Sequence, residues 1–435
     1  MEQQLAEMLA RMIRLETVSA HGQTDLTKFY AFHDLLRELF PHLFAVCDFE
    51  EFEGSFLLRW PGAKPGQGLL LMNHHDVVAA SGNWQYPPFS GEIAEGKVWG
   101  RGTLDDKGPL FGMLKAADDL AAEGFTPARD IYFESACTEE IAGSGAEHFA
   151  AELKKRGLTF DLVLDEGGMI LTEPIKGAKG DYAMIGVGEK GCADLKFTAR
   201  SGGGHASAPP KNTPLVRLGR FMAAVDRSEP FEVKLSPAII EMLRRLAPTM
   251  SGLTAKLLTA PEKYRLPLTK ILNASSPTAA AMLKTTVAFT RASGSNGNNV
   301  IPDEAYVVGN MRFSHHQGRE KSFQAIARIA KRYGLEMEIL DPGVESPLSD
   351  WNSPEFRLIE EAVREVFPGV RTSPYVMTGG SDSRYMSIVS DTCLRFAPFH
   401  ISDKQLASIH GLDECVDVAS LPLAVKFYKY VIRRF

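Results

Sequence analysis

The chain has 435 residues, long enough to bury a large core spread over about two or three domains. Hydrophobic residues make up 44% and charged residues 23%, the profile of an ordinary soluble protein, and a net charge of −6 without any Lys/Arg-rich block excludes nucleic acid as a partner. Five scattered cysteines (Cys47, Cys137, Cys192, Cys393, Cys415) with no CxxC pair read as reduced thiols of a cytoplasmic protein, not as a disulfide framework or a cysteine zinc site.

The predicted elements start with an amphipathic helix over residues 1–15, where Glu2, Glu7, Arg11 and Arg14 interrupt the apolar positions. That pattern is not a signal peptide, and no apolar run reaches membrane-spanning length, so no membrane is expected as a partner. A helix over 26–40 and strands over 55–60 and 68–72 follow. Next come a helix over 109–123 with Pro109 in its first turn, a strand over 130–136, a helix over 142–157 and a strand over 161–164. Such alternation predicts an α/β domain with a mixed, mainly parallel sheet covered by helices on both faces. Beyond Ala183 the pattern changes. Residues 192–199 alternate apolar and polar, as a one-side-buried antiparallel strand does, and a glycine loop ending at His205, a helix over 214–225, a strand over 304–312 and a helix over 321–333 follow. This order predicts an inserted α+β, ferredoxin-like domain over 188–343, with residues 1–187 and 344–435 forming the catalytic α/β domain. Within the insert, 228–293 reads as a mostly helical insertion of the small domain, its pieces 237–246 and 277–284 broken by prolines and Gly252.

The apolar runs share a feature that carries chemistry: each ends in His, Asp or Glu. Leu69-Leu70-Leu71-Met72 leads to Asn73-His74-His75-Asp76, the strand from Ile131 leads to Thr138-Glu139-Glu140, and Leu162-Val163-Leu164 leads to Asp165-Glu166-Gly167-Gly168. Gly100-Arg101-Gly102-Thr103-Leu104-Asp105-Asp106-Lys107-Gly108 and Ser408-Ile409-His410-Gly411 add further candidates. Imidazoles and carboxylates at strand ends suit a hard-to-borderline divalent metal, and zinc takes both. The spacing His74-x-Asp76 puts both side chains on one strand face, so His74 can ligate while Asp76 orients its ring. Of Glu139 and Glu140, which point apart at a strand terminus, one can bind metal while the other faces the substrate as general base.

These segments, taken in order, resemble the signature set of the co-catalytic di-zinc exopeptidases, a family that includes carboxypeptidase S, aminoacylase, succinyl-diaminopimelate desuccinylase and glutamate carboxypeptidase. Gly204-His205-Ala206-Ser207-Ala208-Pro209-Pro210, Asn299-Val300-Ile301-Pro302, Gly379-Gly380-Ser381-Asp382-Ser383-Arg384 and Ile409-His410-Gly411 extend the resemblance to nearly the whole chain. The wording Leu-Asp-Asp-Lys and Asp-Glu-Gly-Gly is similar to the carboxypeptidase S and N-acyl-amino-acid hydrolase branch.

The resemblance implies two zinc ions, replaceable by cobalt or manganese, with Asp105 as the bridging ligand. His74 and either Asp165 or Glu166 hold one ion, and Glu140 and His410 hold the other. It implies Glu139 as general base, a cis peptide bond between Asp105 and Asp106, and His205 reaching the scissile carbonyl, often from a partner subunit, with Asn299 donating to the same oxyanion. Arg384 suits a substrate's terminal carboxylate, and Arg312 either shares that task or forms an inter-strand salt bridge. The expected activity is hydrolysis of an amide bond beside a free carboxylate in a short peptide or an N-acyl amino acid, by a homodimer. Alternatives that keep the same metal residues are a desuccinylase or deacetylase of amino-acid biosynthesis, or a non-catalytic metal- or peptide-binding relative. Reading Thr378-Gly379-Gly380-Ser381 as a phosphate loop fails for want of the lysine and spacing.

Overall fold

Side chains along a strand alternate between faces, and Leu69 to Met72 show what that alternation builds. In the computed structural model, which describes residues 2–64 and 66–435, Leu69 and Leu71 enter one buried cluster and Leu70 and Met72 another on the opposite face. The strand Gln67–His74 is therefore buried on both sides, as are its neighbours Asp130–Ala136 and Leu162–Asp165. These three and Cys393–Arg395 run parallel. They form the centre of a ten-stranded mixed sheet, flanked by antiparallel Asp48–Phe52 and Ser55–Trp60 on one side and by Asp181–Glu189, Ile170–Thr172, His400–Ile401 and Arg371–Met377 on the other.

The helices Glu2–Arg14, Lys107–Ala122, Pro354–Val366 and Leu421–Ile432 cover one face. Lys107–Ala122 is apolar nearly all round, with Leu110, Phe111, Met113, Leu114, Ala117 and Leu120 fully buried, as a helix sandwiched between sheet and outer helix must be. Gly145–Lys155 packs on the other face. No helix among the described residues is long and apolar enough to cross a membrane.

The second sheet is antiparallel, in the order Thr286–Ser293, Glu304–Phe313, Gly191–Arg200, Glu336–Asp341, and the helices Pro214–Ser228 and Gly318–Arg332 pack against it. This is the split β-α-β arrangement that the strand and helix order predicts. Two details differ from the sequence expectation. Thr286–Ser293 is an edge strand of this sheet although it falls inside the stretch read as helical; being exposed along much of its length, it lacks a clear apolar alternation.

The helices of that stretch, Pro237–Leu246, Gly252–Leu258, Arg265–Ser275 and Pro277–Leu283, also do not join the small sheet. They dock on the large one, where Ile239, Ile240, Leu243 and Leu283 bury Tyr182 and Met184 of the strand Asp181–Glu189. Each such apolar side chain contributes about 1.5–3 kcal/mol on full burial, against about 0–1 kcal/mol for the half-screened Arg245–Glu360 ion pair at the same seam. Apolar contact decides the docking.

Candidate active site

The parallel strands end at one edge of the large sheet, and their carboxyl ends bring the predicted residues together. His74 closes Gln67–His74, and its Nε2 lies 2.9 Å from Asp105 Oδ1. The other Asp105 oxygen lies 3.0 Å from His410 Nε2, which is also 3.0 Å from Glu140 Oε2. Two donor groups result, His74/Asp105/Glu166 and Asp105/Glu140/His410, each with ligand atoms within 4.8 Å of one another. Asp105 belongs to both. The buried Glu140 Oε1 has no hydrogen-bond partner, which is what a carboxylate waiting for a cation looks like.

Asp165 and Glu166 separate here. The Asp165 carboxylate accepts the Ser383 N–H at 2.7 Å and the Glu166 N–H at 2.9 Å, so it holds the glycine-rich segment in place while Glu166 faces His74. Asp76 is fully buried and its two oxygens accept the backbone N–H groups of Glu139 and Glu140, each at 3.1 Å, with Ser19 Oγ at 2.6 Å. It thereby fixes the 3₁₀ turn Glu139–Ile141, which stands where the sequence suggested a strand end. His74 Nδ1 is 3.0 Å from the Asp76 carbonyl oxygen and 3.4 Å from its carboxylate, so the main chain shares the orienting task.

Burial works against a protonated His74, yet Asp105 and Asp76 outweigh it and raise the imidazole well above its ordinary range. Glu139 borders the same cavity, and burial, with Asp382 adding, pushes its carboxyl well above the carboxylate range against the pull of His74 and Arg384. A carboxyl raised toward neutrality is suited to general-base work.

The loop that carries Asp105 is built around Glu414, which the sequence reading did not single out. Its fully buried carboxylate accepts the N–H groups of Gly102 at 3.1 Å, Leu104 at 2.8 Å and Asp105 at 3.2 Å, and pairs with Arg101 at 2.6 Å. Gly102 is left-handed at φ +89°, and a Cβ there would lie 2.8 Å from Val77 Cγ1, so only glycine fits. The Asp105–Asp106 peptide bond is cis. Arg101 also donates to the Gly411 carbonyl at 2.7 Å, steadying His410, itself left-handed at φ +58°. Glu414→Ala leaves the buried Arg101 without its counter-ion, so thermal denaturation is expected to show a stability loss of about 3–5 kcal/mol together with reduced metal content. Unchanged stability and full metal content would contradict the role assigned to this pair.

Further round the rim, Arg384 is mostly buried, with Nη1 3.9 Å from Glu139 Oε1 and 3.0 Å from the Ser381 carbonyl oxygen. A Cβ built on Gly380 would lie 3.1 Å from Arg384 Nη1, 3.5 Å from Glu189 Oε1 and 3.7 Å from Arg312 Nη1, so two guanidinium groups converge there beside one carboxylate. Arg312 donates Nε–H to Asn310 Oδ1 at 3.1 Å, and among the described residues it forms no inter-strand salt bridge. The loop itself hangs on the buried Glu189–Arg395 pair, 3.0 Å apart, through Ser381, whose N–H and hydroxyl both donate to Glu189. His205 and Asn299 are different. Both are exposed, at the pairing of Gly204–His205 with Val300–Ile301, where His205 Nδ1 bonds Ser207 Oγ at 2.7 Å, and neither lines the cavity.

That cavity, about 540 Å³, is lined by Asp105, Glu139, Glu166 and His410 together with Met184, Met242 and Met282, among walls that are otherwise mostly apolar.

The chain is similar to known proteins over nearly its whole length. The model of Peptidase family M20/M25/M40 matches residues 70–434. The chain is 31% identical to the N-fatty-acyl-amino acid synthase/hydrolase PM20D1 of Homo sapiens, over 97% of this chain and 86% of that protein. It is 26% identical to carboxypeptidase S of Saccharomyces cerevisiae, over 98% of this chain and 83% of the other. Among solved structures, an M20 family metallo-carboxypeptidase from Sulfolobus solfataricus superposes with a TM-score of 0.72 at 18% identity, covering 99% of this chain and 98% of the other, a likeness of fold.

Proposed function

The chain belongs to peptidase family M20/M25/M40, metal-dependent hydrolases of peptides or N-acyl amino acids, and from that premise we propose that it cleaves amino acids bearing a long apolar N-acyl chain. The observation that carries this reading is the apolar cavity opening directly on the paired His/Asp/Glu groups. A peptide threaded into it would bury amide groups among methionine and aliphatic side chains, at about 1–3 kcal/mol for each one left unpaired. An alkyl chain has no such groups and gains about fourfold in binding for each buried methylene. The printed name of the human relative fits the same substrate class. A succinyl group fits worse: with Arg384 and Arg312 taken by the amino acid's carboxylate, its own would meet a described lining that holds no Lys or Arg.

The donor chemistry fits two zinc ions: His74, Asp105 and Glu166 would hold one, Asp105, Glu140 and His410 the other. Bound there, they would supply Lewis-acid polarisation of the scissile carbonyl and a more acidic water. The chain's own residues do the rest. Glu139 takes the proton from the attacking water and returns it to the leaving amine nitrogen. Asp76 keeps the Glu139–Glu140 turn and the His74 ring in place. Arg384 and Arg312 receive the free carboxylate beside Gly380. The substrate panel is N-acyl phenylalanines from acetyl to octadecanoyl, plus dipeptides. A kcat/KM that climbs with acyl length is expected, while a flat profile with dipeptides preferred would overturn the reading.

The exposure of His205 and Asn299 supports a homodimer in which the small domains pair and each chain lends these residues to the other's cavity. Mixing inactive Glu139→Gln with inactive His205→Ala protein under subunit exchange is expected to restore activity. Confirmed exchange with no recovery, or an active monomer in sedimentation, would remove the cross-subunit role.

A further inference from the structure

One wall of the cavity is also the seam along which the helical segment 237–283 docks on the large sheet. Met242, in Pro237–Leu246, is 2% exposed; Met184, on Asp181–Glu189, is 6% exposed; Met282 lies in Pro277–Leu283. Met184 and Met242 belong to the one apolar cluster that fastens the segment, the partly buried Met282 packs against it, and all three line the cavity. Docking contact and cavity wall are therefore the same side chains. Methionine has an unbranched, flexible end that fits irregular space, so this wall accepts an alkyl terminus without fixed shape and yields by small rotamer changes.

We propose that this segment is the chain-length gauge of the enzyme, with Met242 and Met282 as the stop against which the acyl terminus comes to rest. The inference depends on the acyl chain occupying the cavity and adds to it which residues decide how long that chain can be. Neither methionine carries any chemistry that hydrolysis needs; their contribution is the depth they leave free. Side-chain volume at these positions then maps directly onto the preferred substrate. A larger side chain shortens the space, and a smaller one lengthens it up to the next layer of the cluster.

The test is the kcat/KM profile over N-acyl phenylalanines from acetyl to octadecanoyl in the metal-loaded wild type and in Met242→Trp, Met282→Trp, Met242→Ala and Met282→Ala. The tryptophan variants should move the length of best turnover down by several carbons, with about fourfold loss for every methylene excluded. The alanine variants should move it up. The quantity read is the long-to-short ratio within one preparation, which does not depend on what fraction is folded. If a tryptophan variant fails to fold, the alanine pair still decides the direction. A rising wild-type profile whose optimum stays put in the folded variants overturns the gauge and leaves the acyl-chain reading standing. A flat wild-type profile overturns both.

Discussion

Glu139→Gln is expected to retain both metal ions and lose turnover by about two orders of magnitude or more, the scale of general-base catalysis. The substitution removes proton affinity and keeps the shape, and the backbone N–H of residue 139 still reaches Asp76 Oδ1. Glu139 belongs to neither donor group, so the amide should not disturb metal binding. Glu140→Gln should do the reverse. Glu140 shares His410 with Asp105, its second oxygen is buried without a partner, and a neutral amide there removes one of the charges that hold the cation. Metal analysis and steady-state kinetics on the two variants check this together. Metal lost from Glu139→Gln and kept by Glu140→Gln would exchange the two roles.

Removing the metals is expected to abolish activity, and adding zinc or cobalt to restore it. The readout need not be turnover alone. A ligand that binds only the folded state stabilises it by about 4 kcal/mol when present at a thousand times its Kd, so the melting temperature of stripped protein should rise on zinc addition. It should rise for Glu139→Gln as well, and much less for Glu140→Gln. The pH dependence has a definite sign. In the metal-free chain Asp105 and Glu140 push His410 up to about 10, so its imidazole holds a proton at neutrality that an entering ion must displace. Zinc affinity should therefore rise with pH through the neutral range, by up to about tenfold per unit from this one group. Affinity that is flat or falls as pH rises would contradict that protonation state. Full activity in protein shown to be metal-free would end the metal-dependent reading altogether.

The sequence by itself determined the chemistry of the site and the scaffold that presents it. Candidate ligands that follow apolar strand runs, such as His74 after Leu69–Met72, are legible because a buried parallel strand delivers whatever stands at its carboxyl end to the sheet's edge. The central strands of the small domain, over 192–199 and 304–312, were legible because period-two alternation is a local property, whereas the exposed edge strand Thr286–Ser293 carries no such signal. What depends on partners far apart in the chain was not. Asp165 and Glu166 are adjacent and chemically alike, and only the approach of Ser383 shows which carboxylate is already occupied. Glu414 looks like any surface glutamate until folding brings it to Arg101 and to the loop of Asp105, more than three hundred residues earlier. The helical segment at 237–283 displays an apolar face, and such a face is non-directional. Tertiary structure alone decided that this face would settle on the large sheet and supply part of the cavity's wall.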